Sequence, residues 1–168
     1  MSTRAVIGRE AGEGKFKGVY HHWDGYPSGL GATLLELRNG HFKSNTEAML
    51  RFLIDDHPAG WSTINGADFN ERAGYDEDGP KCYCHGGRDE EGWEVTEENA
   101  SGSGCEYAYV FTEDGQTMLV LSSYRNDRKK MIGMFGCGDE NATWEIIGIV
   151  NLNNPEPDWK VMQEFGED

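Results

Sequence analysis

A histidine and an aspartate two residues apart, His22 and Asp24, end an aromatic and β-branched run from Phe16 to Trp23. Side chains alternate along a strand, so Phe16, Tyr20, His22 and Asp24 fall on one face, and Val19, His21 and Trp23 on the other. An imidazole with a carboxylate to orient it could serve as a general base, which makes His22 and Asp24 the catalytic candidates. His21 and His22 point apart and would not share a metal ion unless the chain bends. The next residues, Asp24-Gly25-Tyr26-Pro27-Ser28-Gly29, are turn formers, and a helix beginning behind them could hold an anion at its N-terminus. A ligand site built here would use Arg4, His22, Trp23, Asp24 and Tyr26, with His57 and Trp61 as walls. Its aromatic rings could stack a base and Arg4 could hold a phosphate. The plainer reading is a packed corner, in which Trp, Tyr and Pro fill space, Asp24 caps the turn and His22 hydrogen-bonds inside it.

The cysteines offer a second chemistry. Cys82, Cys84, His85 and Cys105 provide four soft ligands, the number that tetrahedral zinc needs. Only one residue separates Cys82 from Cys84, where zinc motifs place two to four, and Cys84 and His85 are adjacent. The expectation is therefore no metal and no cofactor, with free thiols at these positions and at Cys137; zinc on the four named residues is the alternative.

Steps that position these residues must come from a chain of 168 residues, enough for a single domain with a real core. Its formal net charge of −15 is unevenly placed. Residues 66–104 carry 11 acidic residues against Arg72, Lys81 and Arg88, and residues 153–168 carry five against Lys160. The remainder is nearly neutral. Such a balance opposes direct nucleic-acid binding through a basic surface and opposes anionic membranes. No apolar run is long enough to span a bilayer and the first residues lack the apolar stretch of a signal peptide, so a cytoplasmic protein is expected. The acidic segment could simply solvate the protein, or it could present Asp76, Glu77, Asp78, Asp89, Glu90 and Glu91 to a partner with a basic surface.

Thr3 to Arg9 and Phe16 to Trp23 read as a hairpin. Leu30, Leu34 and Leu37 have helical spacing, with a stop near Asn39-Gly40. Ser44-Asn45-Thr46-Glu47 has the capping-box pattern before an apolar face of Ala48, Met49, Phe52 and Leu53, and His57-Pro58 ends that second helix. Residues 62–104 form a long acidic, glycine-rich insertion with short strands near Lys81–Cys84 and Trp93–Thr96. Tyr107, Tyr109 and Phe111 alternate before Asp114-Gly115, and Thr117–Ser123 runs back, a second hairpin. Met131–Phe135 and Trp144–Val150 are further strands, the latter central. The acidic tail, 153–168, starts extended and can dock a short element through Trp159, Val161, Met162 and Phe165. The expected class is α+β: one domain over 1–168, a mainly antiparallel sheet, two helices on one face, and the insertion.

Met1-Ser2-Thr3-Arg4-Ala5, the box Val19-Tyr20-His21-His22-Trp23-Asp24-Gly25-Tyr26-Pro27, then Gly31 and Leu34-Leu35, resemble a group of small proteins of bacteriophages, prophages and bacterial mobile elements. Gly87-Arg88-Asp89-Glu90-Glu91 and Tyr107-Ala108-Tyr109-Val110-Phe111 are similar to that group as well. The resemblance covers about half of the chain. It implies an accessory protein that binds a host protein, blocking a defence or redirecting host machinery, or one that handles a small signal molecule. Together with the charge, it favours a non-catalytic, acidic, intracellular host-interaction protein. The alternative is a domain that binds or hydrolyses a nucleotide-like ligand at the His-Trp-Asp-Gly-Tyr-Pro corner. The residues specify no oligomeric state.

Overall fold

The computed structural model describes residues 3–65, 69, 81–83, 94–100, 103–123, 133–135 and 144–166. Its strands are β1 (Arg4–Glu10), β2 (Phe16–His21), β3 (Trp61–Thr63), β4 (Lys81–Cys82), β5 (Val95–Thr96), β6 (Cys105–Phe111), β7 (Thr117–Ser122), β8 (Gly133–Phe135) and β9 (Trp144–Asn151). They form one sheet in the order β4-β3-β2-β1-β6-β7-β9-β8, and β5 also pairs with β2. Three helices accompany it: α1 (Ala32–Asn39), α2 (Thr46–Leu50) and α3 (Trp159–Gly166). A π-helical turn, Pro27–Gly31, leads into α1, and another, Arg51–Asp55, continues α2.

The architecture is α+β; most pairings are antiparallel, as expected, but the sheet is mixed, because two are parallel. β1 pairs antiparallel with β2 and parallel with β6; β2 pairs parallel with β3. The remaining pairings are antiparallel. Hairpin signals report only pairs that are neighbours along the chain. β6 returns beside β1 after a crossover through the helices, and no local signal marks that. The third helix, α3, joins the two expected ones.

β1 and β6 lie at the centre and are covered on both faces. In β6 the large rings Tyr107, Tyr109 and Phe111 belong to the core under the helices, while Ala108 and Val110 face the smaller core on the opposite side. Leu30, Leu34 and Leu37 bring the first helical segment onto the helix-side core, and Met49, Leu50 and Leu53 bring the second. On the opposite side Val6, Phe16, Val95, Ala100, Cys105, Leu121 and Trp144 pack together, and the Trp144 indole donates to the Glu97 carbonyl at 3.1 Å. The β6–β7 turn follows the Asp-Gly signal: the Asp114 carboxylate accepts from the Thr112 hydroxyl and the Gln116 N–H, and Gly115 takes a φ of +72°.

The cap of α2 sits one residue beyond the expected Ser44. Asn45 accepts from the Ala48 N–H at 3.0 Å. Ser44 itself has a φ of +66°, outside the extended region that an N-cap needs. No helix among the described residues is long and apolar enough to cross a membrane.

Candidate functional site

β2 carries the two histidines to the corner and sends them to opposite faces. His21 lies on the helix side, opposite Ala5, and is fully buried. Its Nε2 accepts the Ile64 N–H at 3.0 Å, so the ring's proton belongs on Nδ1. Nδ1 has no hydrogen-bond partner among the described residues. Burial first, and the neighbouring His22 second, hold the pKa of His21 down to about 3. It is a neutral core group. His22 is half-buried on the other face, where its Nδ1 and the Tyr20 hydroxyl are 2.6 Å apart.

Past His22 the chain is pinned by backbone. The N–H groups of His22 and Trp23 donate to the Trp61 and Ser62 carbonyls, and the Gly25 N–H donates to Thr3 O at 2.7 Å. A Cβ at Gly25 would stand 2.5 Å from that of Ala5, so the close crossing of β1 requires glycine here. Tyr109 rises from β6 and donates its hydroxyl to the Gly25 carbonyl at 2.5 Å. Burial raises the Tyr109 pKa well above that of a free phenol, so the donor keeps its proton. Tyr109→Phe would leave the buried Gly25 carbonyl without this donor. Thermal unfolding should show a loss of about 1–3 kcal/mol; a change under about 0.5 kcal/mol would mean that the bond contributes nothing net.

Asp24 turns toward the helix side. Its carboxylate accepts from the Tyr26 hydroxyl at 3.3 Å, and its backbone carbonyl accepts from the Asn65 side chain at 2.7 Å. The Asp24 charge, then burial and the hydrogen bond, raise the Tyr26 pKa. Tyr26 packs against the helix-side core. Among the described residues no hydrogen bond joins His22 to Asp24, so the imidazole and the carboxylate are held by different tyrosines. The alternation that placed them on one face ends at the corner, where the backbone leaves the strand at Trp23.

Trp61 is fully buried, with its indole donating to the Leu53 carbonyl at 2.8 Å, and its ring centroid is 4.6 Å from that of His57, which is also buried. Phe52 completes this packed trio. These two residues are thus core members beneath the helices, not walls of an open cleft. Trp23 is 47% exposed. Arg4 is exposed and makes no hydrogen bond or ion pair among the described residues.

Cys82 belongs to the helix-side core and Cys105 to the opposite one. With the sheet between them the two thiols cannot bind one zinc ion, while Cys84 and His85 lie outside the described residues. Burial pushes the Cys105 thiol up to about 12; the Arg4 charge opposes this and Glu106 adds to it. Asp76, Glu77, Asp78, Asp89, Glu90 and Glu91 also lie outside the described residues.

Two residues not named among the site candidates join the neighbourhood of His22. Tyr20 is its hydrogen-bond partner, and Tyr83, brought in by the β3–β4 pairing, has its ring centroid 6.5 Å from that of Tyr20. Alternation had already placed Tyr20 on the face of His22; Tyr83 depends on a distant pairing and left no local signal. In comparisons with known proteins the chain matches no family model, no curated protein and no solved structure.

Proposed function

We infer that this chain is an accessory protein of a phage or mobile element that binds a host protein through an acidic surface, inhibiting or redirecting it without catalysis. The observation that carries this reading is how the acidic insertion is anchored. The outer edge of β2 takes β5 at Lys17 and Gly18 and β3 at His21, and β4 adds to β3. The acidic run 76–78 therefore lies in the connection from β3 to β4, and the run 89–91 in the connection from β4 to β5. Both connections start and end on strands at the same side of the sheet. That tethering favours a presented interface over a detached solvating tail. Between described residues there is one ion pair, Arg9 to Asp55 at 3.2 Å.

Opposite charge across an interface mainly speeds association and selects the partner, and salt weakens it. The test is affinity capture from bacterial host lysate. The wild type is compared with a variant carrying Asp76→Asn, Glu77→Gln, Asp78→Asn, Asp89→Asn, Glu90→Gln and Glu91→Gln. A basic partner should be retained by the wild type at low salt. It should be lost at about 0.5 M salt, where screening is short-ranged, and lost with the variant. Equal capture by both proteins would overturn the reading.

A further inference from the structure

The helix α3 is held to the fold by few contacts. It lies against the π-helical turn Pro27–Gly31 and the strands β7 and β9. Met162 is buried in the helix-side core, and Trp159, one turn earlier, packs against that core. Val161 is 43% exposed, so this one of the expected docking residues does not dock. Among the described residues no hydrogen bond or ion pair joins residues 159–162 to any residue before Asp158, whose Oδ1 caps the helix by accepting the Val161 N–H at 3.1 Å. Asn154, Pro155, Glu156 and Asp158, which lead into α3, are exposed. A helix of eight residues does not hold itself in water, so α3 is helical only while docked.

Both docking side chains sit where a glycine leaves room. A Cβ at Gly31 would stand 2.9 Å from Trp159 Cζ3 and 3.1 Å from Tyr109 Cε1. A Cβ at Gly148 would stand 2.6 Å from both Sδ and Cε of Met162. Neither glycine takes the left-handed backbone that would require one, and Gly31 is α-helical, with φ −57° and ψ −49°. Glycine inside a helical run or a strand weakens that element. These two therefore serve the seat of α3 rather than their own elements. The same seat adjoins the corner. The Tyr109 ring that borders Gly31 together with Trp159 is the one whose hydroxyl donates to the Gly25 carbonyl. The Gly25 N–H in turn donates to Thr3 O. Trp159, Gly31, Tyr109 and Gly25 thus form a continuous row from α3 to the corner Trp23–Pro27.

We propose that α3 is a releasable strap that undocks without unfolding of the sheet, and that its release loosens the corner Trp23–Pro27 through Tyr109. Segments with few buried apolar contacts open below the global unfolding free energy, which is the situation of α3. Once Trp159 leaves, one side of the Tyr109 ring loses its packing, and the hydroxyl that props the Gly25 carbonyl is held less firmly. The coupling is carried by a demonstrable pair of positions for one element, docked and undocked, and it acts on the corner from the far side of the helical layer.

Native-state hydrogen exchange of the full chain, read amide by amide by NMR, tests this. The α3 amides should exchange about a hundredfold or more faster than those of β6 and β7. Trp159→Ala should speed the Trp23 and Gly25 amides, both hydrogen-bonded at the corner, about tenfold or more. Gly31→Ala should do the same by crowding Trp159 and Tyr109, although alanine suits the helical backbone better. Val161→Thr, at an exposed position, should leave the corner as in the wild type. In a Tyr109→Phe background, where the link is already cut, Trp159→Ala should add less than about threefold at the corner, whereas a general loss of stability would add in full. The proposal is overturned if the α3 amides are as protected as those of β6 and β7, since the helix then leaves only with the whole fold. It is equally overturned if Trp159→Ala leaves Trp23 and Gly25 unchanged, or if its effect there is the same with and without the Tyr109 hydroxyl.

Discussion

Replacing Arg38 with methionine is expected to destabilise the protein by about 3–5 kcal/mol, which for a domain of this size is a melting-temperature drop on the order of 10 °C. Arg38 is the last-turn cation of α1 and is only 2% exposed. No carboxylate reaches it among the described residues. Its Nε donates to the Thr46 hydroxyl at 3.0 Å, and its Nη1 to Asn39 Oδ1, Asn153 Oδ1 and the Leu152 carbonyl. Nη2 reaches the Gly115 carbonyl at 3.5 Å. One guanidinium thus ties the end of α1 to the start of α2, the β6–β7 turn and the end of β9. Burial lowers its pKa, a sign that desolvation works against the charge. Two effects therefore compete on substitution. Removing the desolvated charge helps, whereas leaving side-chain and carbonyl acceptors unpaired hurts. The second should win because the acceptors come from separate elements and, among the described residues, no other cation reaches them. Partial cover remains, since Thr46 still donates to Gly115 O and Asn39 to Leu152 O, and this keeps the loss below a sum of single bonds. Denaturant unfolding of Arg38→Met and Arg38→Lys checks this. A methionine variant within about 1 kcal/mol of the wild type would show that the clamp contributes no net stability.

Acid should destabilise the fold well before its carboxylates titrate. His21 binds its proton near 6.5 in the unfolded chain and only near 3 in the folded one, so between those values the unfolded state holds more protons. The stability this neutral histidine contributes is present above pH 6.5 and is lost as pH falls toward 3. From pH 7 to pH 5 the linked loss is about 2 kcal/mol. Protonation would also set a cation against the Ile64 N–H, which needs Nε2 as an acceptor. His21→Gln keeps a hydrogen-bond acceptor but cannot titrate. Its unfolding free energy should be lower at pH 7 yet flatter with pH, by up to one proton's slope between pH 6 and 4. Because the carboxylates and the other histidines are common to both proteins, the difference in slope isolates His21. Parallel curves would place the His21 pKa near its ordinary value and refute the buried neutral form.

Much of the local structure was legible in the residues. The β1–β2 and β6–β7 hairpins, the Leu30-Leu34-Leu37 face and the short strands at Lys81–Cys82 and Val95–Thr96 all carry period-2, period-3.6 or turn chemistry that acts between near neighbours. The opposite facing of His21 and His22 follows from the same alternation. The charge partition was equally plain, because it is a count. Composition and spacing also made the corner Trp23–Pro27 the natural place to look for chemistry.

Tertiary structure decided the rest. Which strand lies beside β1, and in which direction, depends on a crossover whose contacts are about a hundred residues apart in sequence. The roles of Arg38 and Tyr109 depend on acceptors brought from distant elements, so neither had a local signature. His57 and Trp61 went into the core because π-helical Arg51–Asp55 packs over them, Phe52 against both rings and Leu53 accepting from the Trp61 indole. Asp24 parted from His22 because the alternation of a strand ends where its ladder ends. The residue sequence determined the elements and the available chemistry, through interactions a few residues in range. Only long-range packing, which buries His21, His57 and Trp61 and leaves Arg4 exposed and His22 half-buried, decided which of those groups can meet.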